Sequence, residues 1–491
     1  MANFSSVLNS KTIKINYLLN CLRVVSGALV GIVLLPYITR VLGPENFGKV
    51  EYIYTFINYF VLFSALGIPM YGIREISKVR NDKHETAKII LELYCILFVS
   101  TVVSYLIIFG IFWQLSAFSA YRDLILVFSA MVMLSNIGAE WYFQGSENQL
   151  FMTVRYLIVR ALAVVFVFVL IQKPDDYIYY AGFLLLTACG ANIINFFYLS
   201  KFILSQKISW RDLEIKKHLK PVLTIFAATI SVNIYLQLDN LLIGSISGDK
   251  YVGYYSVANK LIRVVISFIT ILGAVMLPRL SFLYLNDRPL YNDYLKKSFG
   301  ILLMMSLPFT IYFLVFSKNI VGIMSGNDFK ESILTMQILS PLCFIVSMAY
   351  FMGFLILYPQ NKEKFYTTAT IVSAVFSILV NFFMIRLFRH NGAAVVAVVA
   401  ELLAIFVMFY FIKKNKLVEG VFDKNMRVIG VAALGMFVFS ILISGLFQEM
   451  NVSTFILVSI LSFGVYAAIM FLLKEKISME MYSRYIRKIK K

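Results

Sequence analysis

Charged side chains inside otherwise apolar stretches are the residues of this 491-residue chain most able to do chemistry. A charge in such a stretch is costly, so it marks a transport pathway or pairs with an opposite charge. The candidates are Arg23, Glu92, Glu140, Arg155, Arg160, Asp239, Lys260, Arg263 and Glu401. Bases outnumber acids around Arg23, Lys260 and Arg263, which favours an anionic ligand over a cationic one.

Arg23 lies about two helical turns inside the first apolar segment, at a rise of 1.5 Å per residue. Its side chain either extends back to the membrane interface or contacts an anion in a central cavity. Lys260 and Arg263 are three residues apart and share one helix face. Asp239, on the preceding segment, either forms a structural pair with one of them or lines the same cavity, where it could also take up a proton.

The remaining candidates divide between structural and functional roles. Glu140 and Arg155 flank a short turn, which predicts a local ion pair between them. Arg160 lies deeper and is a candidate for substrate binding, whereas Glu92, near a helix start, is interpreted as structural. Glu401 is alone in the middle of its segment, which makes it, like Asp239, a candidate for proton or Na⁺ coupling.

Enzyme chemistry finds no support in the motifs. The chain has no GxxxxGK[ST] phosphate loop, no CxxC pair and no histidine at a readable spacing from a nucleophile. We therefore predict no catalytic residue, no metal site and no cofactor. The net charge of +19 comes from short loops between apolar runs, so it does not indicate nucleic-acid binding.

The composition is that of a membrane protein: 60% of the residues are hydrophobic and only 14% are charged. Many apolar runs reach the roughly 18–20 residues that cross a bilayer as a helix. We predict an all-α protein with fourteen spans: Asn16–Ile38, Val50–Met70, Ala87–Trp113, Leu124–Phe143, Met152–Ile171, Tyr177–Ile203, Pro221–Ile246, Tyr254–Phe282, Phe299–Phe316, Ile333–Leu357, Tyr366–Leu387, Gly392–Ile412, Val428–Phe447 and Val452–Leu473.

Lysine and arginine in the loops predict the orientation of these spans. With a cytoplasmic N-terminus, the cytoplasmic loops contain about 30 basic residues and the opposite loops about nine. The basic segments are Arg74–Lys83, Lys201–Lys220, Arg279–Lys297, Lys413–Arg427 and the tail Lys474–Lys491. Both termini are therefore expected in the cytoplasm.

An internal repeat is visible in two glycine turns six spans apart, Gly43–Gly48 and Gly248–Gly253. Transporters are often built from such repeats, with the substrate site between them. We predict two six-helix lobes plus two C-terminal helices. The predicted boundaries are 1–206 for the N-lobe, 207–220 for a basic cytoplasmic linker, 221–413 for the C-lobe and 414–491 for the last two spans and the basic tail.

Several segments resemble a known family when their order and spacing are taken together. Leu35–Gly48 and Leu66–Glu75 resemble the first loop and the end of span 2 in bacterial polysaccharide exporters. Glu140–Gly145 resembles the end of span 4 in O-antigen repeat-unit flippases. Leu238–Gly244, followed by Val252–Tyr255, resembles their hairpin of spans 7 and 8. The superfamily is that of the multidrug/oligosaccharidyl-lipid/polysaccharide (MOP) exporters.

The resemblance implies a fold like that of MOP flippases and multidrug (MATE) exporters, with spans 1, 2, 7 and 8 around a central cavity. It implies that undecaprenyl-diphosphate carrying an oligosaccharide crosses from the cytoplasmic to the periplasmic leaflet of the bacterial inner membrane. Arg23, Asp239, Lys260 and Arg263 fall on spans 1, 7 and 8, and spans 13 and 14 could contact the lipid tail. Expected partners are this lipid-linked oligosaccharide, membrane lipids, and the polymerase and chain-length proteins of the same pathway.

Three alternatives remain open from the sequence. A drug antiporter of the same superfamily would need acidic cavity residues to bind cationic drugs. A membrane-embedded polysaccharide polymerase or ligase would need a sizeable external loop with catalytic Arg or His. A membrane scaffold would not need charges within its spans.

Overall fold

The computed structural model describes residues 2–418, 426–447, 450–480 and 483. Within these ranges it describes the backbone but not the side chains of residues 2–18, 21, 24, 28, 228–236, 272, 274 and 275. Parts of the predicted basic loop 413–427 and of the predicted basic tail 474–491 therefore lie outside the described residues, as does the side chain of Cys21.

The described part of the chain is helical and contains no strand. The helices are α1 Ala2–Ala65, α2 Ile68–Val79, α3 Lys83–Gly110, α4 Arg122–Ile137, α5 Glu140–Gly145, α6 Gln149–Leu170, α7 Tyr177–Ser205, α8 Lys216–Ser247, α9 Asp249–Asn286, α10 Arg288–Ser325, α11 Ser332–Leu339, α12 Leu342–Tyr350, α13 Glu363–Lys414, α14 Met426–Leu446 and α15 Val452–Leu472. Short 3₁₀ turns join several of them, and a π-helical stretch, Phe351–Leu357, follows α12.

Eleven stretches of the described residues are long and apolar enough to cross a membrane. Two of them each cover two predicted spans: Val25–Val79, interrupted at Gly43, and Glu363–Lys414, interrupted at Arg389. Both interrupting residues have non-helical backbone angles with positive φ. Since α8 carries the predicted span 7, the helices accommodate the fourteen predicted spans, and the prediction of a multi-pass helical membrane protein is confirmed.

The two glycine turns of the predicted repeat adopt similar backbones and lie against each other. Gly43 has φ 70° and ψ 172°, and Gly248 has φ 100° and ψ 169°. The contact is reciprocal, because a Cβ on Gly48 would overlap the carbonyl of Asp249 and a Cβ on Gly253 would overlap the carbonyl of Pro44. Only glycine at both positions lets the two backbones approach this closely.

The chain divides into two compact units, Met1–Gly253 and Tyr254–Lys491. The first contains a buried cluster in which Ile68, Trp141 and Phe143 pack together. The second contains a larger cluster around Phe299 and Phe351, and a smaller one in which α14 and α15 pack on α10. The predicted lobe boundaries at 206, 221 and 413 stay a prediction.

Candidate anion site in the membrane helices

Three arginine side chains of the first unit surround one tyrosine ring. The guanidinium carbons of Arg23, Arg155 and Arg160 lie 5.3, 5.6 and 5.2 Å from the ring centroid of Tyr156. Each distance is within the roughly 6 Å at which a cation is attracted to an aromatic face. We call these four residues the arginine cluster.

Two helices position the cluster. α6 begins after Asn148, whose side chain accepts a hydrogen bond from the amide of Phe151, and it carries Arg155, Tyr156 and Arg160. Tyr156 and Arg160 are four residues apart, so they share one face of α6. α1 packs along α6 and adds Arg23 from the other side, and the hydroxyl of Thr153 donates to a backbone carbonyl of α1.

Arg160 is fixed in the groove between these helices. Its Nη1 donates to the backbone carbonyl of Arg23 and to Oγ of Ser26, the latter at 2.6 Å. Gly27 makes room for the guanidinium group, because a Cβ at that position would lie 2.5 Å from Nη2 of Arg160. Arg23 donates in turn from Nη2 to Oδ1 of Asn20 at 2.9 Å. Arg23 is therefore half-buried beside α6 and uses an acceptor on its own helix.

Arg155 is the most buried member, with 3% of its side chain exposed. Its Nη1 donates to the carbonyl of Ala191 at 3.1 Å, and its Nη2 lies 3.7 Å from Oε1 of Glu140. The predicted Glu140–Arg155 ion pair is thus confirmed. Nε and Nη2 of Arg155 are nevertheless buried without a hydrogen-bond partner among the described residues. A planar guanidinium group with free donors fits a phosphate oxygen in its plane.

The charges of the cluster do not balance. Among the described residues the three guanidinium groups are accompanied by one carboxylate, that of Glu140, which pairs with Arg155 and accepts a hydrogen bond from the hydroxyl of Tyr156 at 2.6 Å. The excess is therefore two positive charges, three minus one, and the chain contains no acidic residue before Glu45 that could reduce it from α1. Uncompensated charge among membrane helices is unfavourable unless an anion neutralises it. The arrangement therefore suits an anionic group.

The other predicted site residues lie outside this cluster. Asp239 is half-buried on α8 in the first unit and acts electrostatically on the hydroxyl of Tyr59. Lys260 and Arg263 lie on α9 in the second unit, where Nε of Arg263 donates to Oδ1 of Asn259 at 3.3 Å. Glu401 is buried on α13. The structure thus brings Arg23 and Arg160 together, and the shared cavity with Lys260 and Arg263 stays a prediction.

The sequence analysis did not predict that Tyr156 belongs to the site, nor that Arg155 and Arg160 both lie beside its ring. The four-residue spacing of Tyr156 and Arg160 could have predicted that these two α6 side chains lie together. The contribution of α1 had no local signal, because residues more than 130 positions apart meet there.

A second buried polar network, also unpredicted, joins α2, α3 and the start of α8. Nε2 of His218 lies 2.7 Å from Oε2 of Glu92, and Nδ1 of His218 lies 2.7 Å from the hydroxyl of Tyr71. Oε1 of Glu92 accepts the amide of Glu214 at 2.7 Å, and Nζ of Lys217 lies 3.3 Å from Oε2 of Glu92. We call these five residues the glutamate network. The interpretation of Glu92 as structural agrees with this position.

A multi-pass bundle of apolar helices with charged side chains among them is typical of a membrane transporter. Residues 14–283 match the family described as "Polysaccharide biosynthesis protein", and residues 157–466 match the family described as "Lipid II flippase MurJ". Each match covers more than half of the 491 residues. The chain therefore belongs to the polysaccharide biosynthesis protein family and also matches the MurJ lipid II flippase family. These matches confirm the resemblance to MOP exporters.

Two curated relatives are named as O-antigen transporters. The one from Escherichia coli (strain K12) is 23% identical over 402 residues, which are 81% of this chain and 96% of the relative. The one from Shigella dysenteriae is 23% identical over 395 residues, which are 78% of this chain and 95% of the relative. These names, with the flippase family match, confirm the prediction of a transporter rather than an enzyme.

Two solved structures share the fold. The lipid II flippase MurJ, in an inward closed conformation, superposes with a TM-score of 0.70 at 14% identity, covering 95% of this chain and 98% of that chain. An inward-facing MATE family multidrug resistance transporter of the MOP superfamily superposes with a TM-score of 0.59 at 15% identity, covering 79% of this chain and 94% of that chain. The predicted MOP-flippase and MATE-like fold is confirmed.

Proposed function

We propose that this protein is a flippase that moves undecaprenyl-diphosphate-linked oligosaccharide repeat units from the cytoplasmic to the periplasmic leaflet of the bacterial inner membrane. It works by alternating access and serves surface polysaccharide biosynthesis. The arginine cluster is the observation that carries this proposal. A lipid diphosphate brings the negative charge that the excess of two positive charges requires.

The cluster offers the substrate two kinds of contact. Arg155 has a buried Nε without a hydrogen-bond partner among the described residues, and Arg23 is half-buried on the neighbouring helix. Guanidinium groups remain charged in a membrane interior and bind phosphate oxygens in pairs. The diphosphate would therefore bind between α1 and α6. Lys260, Arg263 and Asp239 are proposed as further contacts, and Asp239 and Glu401 as coupling residues for protons or Na⁺.

Drug antiport is the second candidate of the same superfamily. The flippase structure superposes over 95% of this chain, whereas the MATE transporter superposes over 79%. The charge of the cluster also opposes a cationic drug, because a like charge at close range is repelled. Both observations favour the flippase. Cytoplasmic termini and contacts with polymerase and chain-length proteins remain predictions.

Complementation tests the proposal directly. Full-length protein is expressed in a strain that lacks its own O-antigen flippase, and surface polysaccharide is measured against the amount of membrane protein. We expect restored polysaccharide with the wild type and a ten- to a hundredfold lower yield per molecule with Arg23→Gln, as expected for one lost charge-assisted contact.

Arg386→Gln is the matched control, because Arg386 also lies over an aromatic ring, 3.9 Å from Phe382, but on an exposed part of α13. It should leave the yield unchanged. Restored resistance to a cationic dye without restored polysaccharide would instead establish drug antiport.

A further inference from the structure

An apolar groove of about 780 Å³ lies on the first unit, between the second half of α1, α3 and α8. Aromatic and aliphatic side chains form nearly all of its lining, among them Phe60, Phe63, Val99, Val103 and Phe226. Phe63, Val99 and Val103 are more than 40% exposed. A volume of this size is typical of a site for one small molecule.

The groove follows one face of α3. Cys95, Val99, Val103 and Ile107 succeed one another at four-residue intervals along it. They span about 18 Å at 1.5 Å per residue. One leaflet of the hydrocarbon core is about 15 Å thick, half of roughly 30 Å. On α8 the lining extends further, from Leu219 to Leu241, which is about 33 Å at 1.5 Å per residue. The groove is therefore long enough to hold an acyl chain of a bilayer lipid.

One end of the groove is basic. Ile215 and Leu219 line it there, and Lys216 and Lys220 form the adjacent stripe on α8, also four residues apart. Both lysines are exposed, and neither has an ion pair in the described part of the chain. The loop charges predict that this end faces the cytoplasm, where membranes carry anionic lipids that attract basic segments.

The glutamate network holds the lysine stripe in place. It ties His218, which lies between the two lysines in sequence, to Glu92 of α3 and Tyr71 of α2. The backbone amide of Glu214, just before α8, donates to the same carboxylate. The chain is therefore held on both sides of Lys216, at Glu214 and at His218. Two lysines on a helical turn held in place beside an apolar groove form a better lipid site than lysines on a mobile loop, because less backbone entropy is lost on binding.

We propose that this groove binds one anionic phospholipid, with an acyl chain between α1, α3 and α8 and the phosphate headgroup on Lys216 and Lys220. The groove supplies the apolar contact, and the two lysines select a negative headgroup over a zwitterionic one. This site is separate from the arginine cluster and does not depend on which substrate the protein moves.

Native mass spectrometry of the full-length protein tests the proposal. The protein is released from bilayers of phosphatidylcholine with or without phosphatidylglycerol, and retained lipid is counted. We expect wild type to retain phosphatidylglycerol in preference to phosphatidylcholine. The double variant Lys216→Gln/Lys220→Gln should reduce that preference by about thirtyfold, because each lysine near an anionic lipid contributes to its binding and both are removed. The control pair Lys362→Gln/Lys364→Gln, exposed near the start of α13, should not.

The apolar half is tested separately. Val103→Trp fills the groove and should abolish retention of the lipid, whereas Val102→Trp, on an exposed neighbouring face of α3, should leave it intact. Equal retention of both lipids by wild type overturns the proposal, as does an unchanged preference in the lysine pair. Displacement of phosphatidylglycerol by an equal amount of a polyprenyl phosphate also overturns it, since the groove would then be a substrate-tail site.

Discussion

The arginine cluster and the glutamate network lie in the same unit, but they differ in how far their charges are paired. In the network, the Glu92 carboxylate receives a backbone amide, His218 and Lys217, so each of its oxygens has a partner. In the cluster, of the three guanidinium groups only that of Arg155 pairs with a carboxylate among the described residues, and two of its donors have no hydrogen-bond partner there. The protein supplies the partners of Glu92, whereas among the described residues the arginine cluster carries more positive than negative charge.

This difference separates a structural charge from a functional one. A buried charge whose partners are all supplied by the protein fixes the positions of those partners. A buried charge with surplus donors is stabilised by a ligand that completes it. Loss of Glu92 should therefore reduce stability more than transport, and loss of an arginine should do the reverse.

The largest expected effect is on folding, from Glu92→Ala. Removing this carboxylate leaves Lys217 and the buried His218 side chain without their acceptor, which costs about 3–5 kcal/mol. Thermal unfolding of the detergent-purified protein should show a much lower Tm, while transport per folded molecule stays near wild type. Glu85→Ala, in the first turn of the same helix, is the control and should leave the Tm unchanged. A wild-type Tm for Glu92→Ala would contradict a structural network.

The second effect is on transport, from Arg160→Gln. Loss of one charge-assisted contact should lower polysaccharide per molecule by roughly ten- to a hundredfold, with little change in Tm. Arg160→Lys keeps the charge but loses the planar fork, so it should restore part of the yield. If Arg160→Gln lowers the Tm and leaves the yield per molecule intact, the cluster is structural like the network.

A smaller effect is expected from Gly27→Ala. The new Cβ would lie 2.5 Å from Nη2 of Arg160, so the flexible guanidinium group moves away while the helices stay packed. Transport should fall a few-fold at unchanged Tm. Gly31→Ala is the matched control one turn along α1, where a Cβ would meet nothing within 4 Å. Equal transport by the two variants would show that the position of Arg160 is unimportant.

The smallest effect concerns the exposed edge of the network. Lys217 donates to Glu214 at 3.0 Å, and this hydrogen bond lowers the pKa of Glu214 below its ordinary value of 4.5. A carboxyl group with a lowered pKa stabilises the fold above the unfolded-state pKa and loses that contribution as the pH falls through the folded-state pKa. Glu214→Gln should therefore lower the Tm slightly at neutral pH, since exposed pairs are weak, and not at all below that lowered pKa. A constant difference in Tm at every pH would exclude the ion pair as its cause.

Local pattern was enough to predict the helices and one of the contacts. Span length and hydropathy identified the membrane helices, because a span must satisfy its own backbone and remove its apolar side chains from water. The Glu140–Arg155 pair was predictable because the two residues flank one short turn. The matching glycine spacing identified the two turns as related, and the structure gives Gly43 and Gly248 similar backbones with positive φ, which is accessible to glycine.

The arginine cluster and the glutamate network needed tertiary structure. Arg23 meets Arg160 only because α1 packs along α6, and His218 becomes buried only because α8 starts against Glu92 and Tyr71. Sequence alone determined that the chain is a helical membrane protein with costly charges in its spans, because the length and hydropathy of a span depend only on neighbouring residues in the sequence. Which of those charges find partners within the protein, and which keep unsatisfied donors among the described residues, depends on how distant helices pack, and only the tertiary structure decided it.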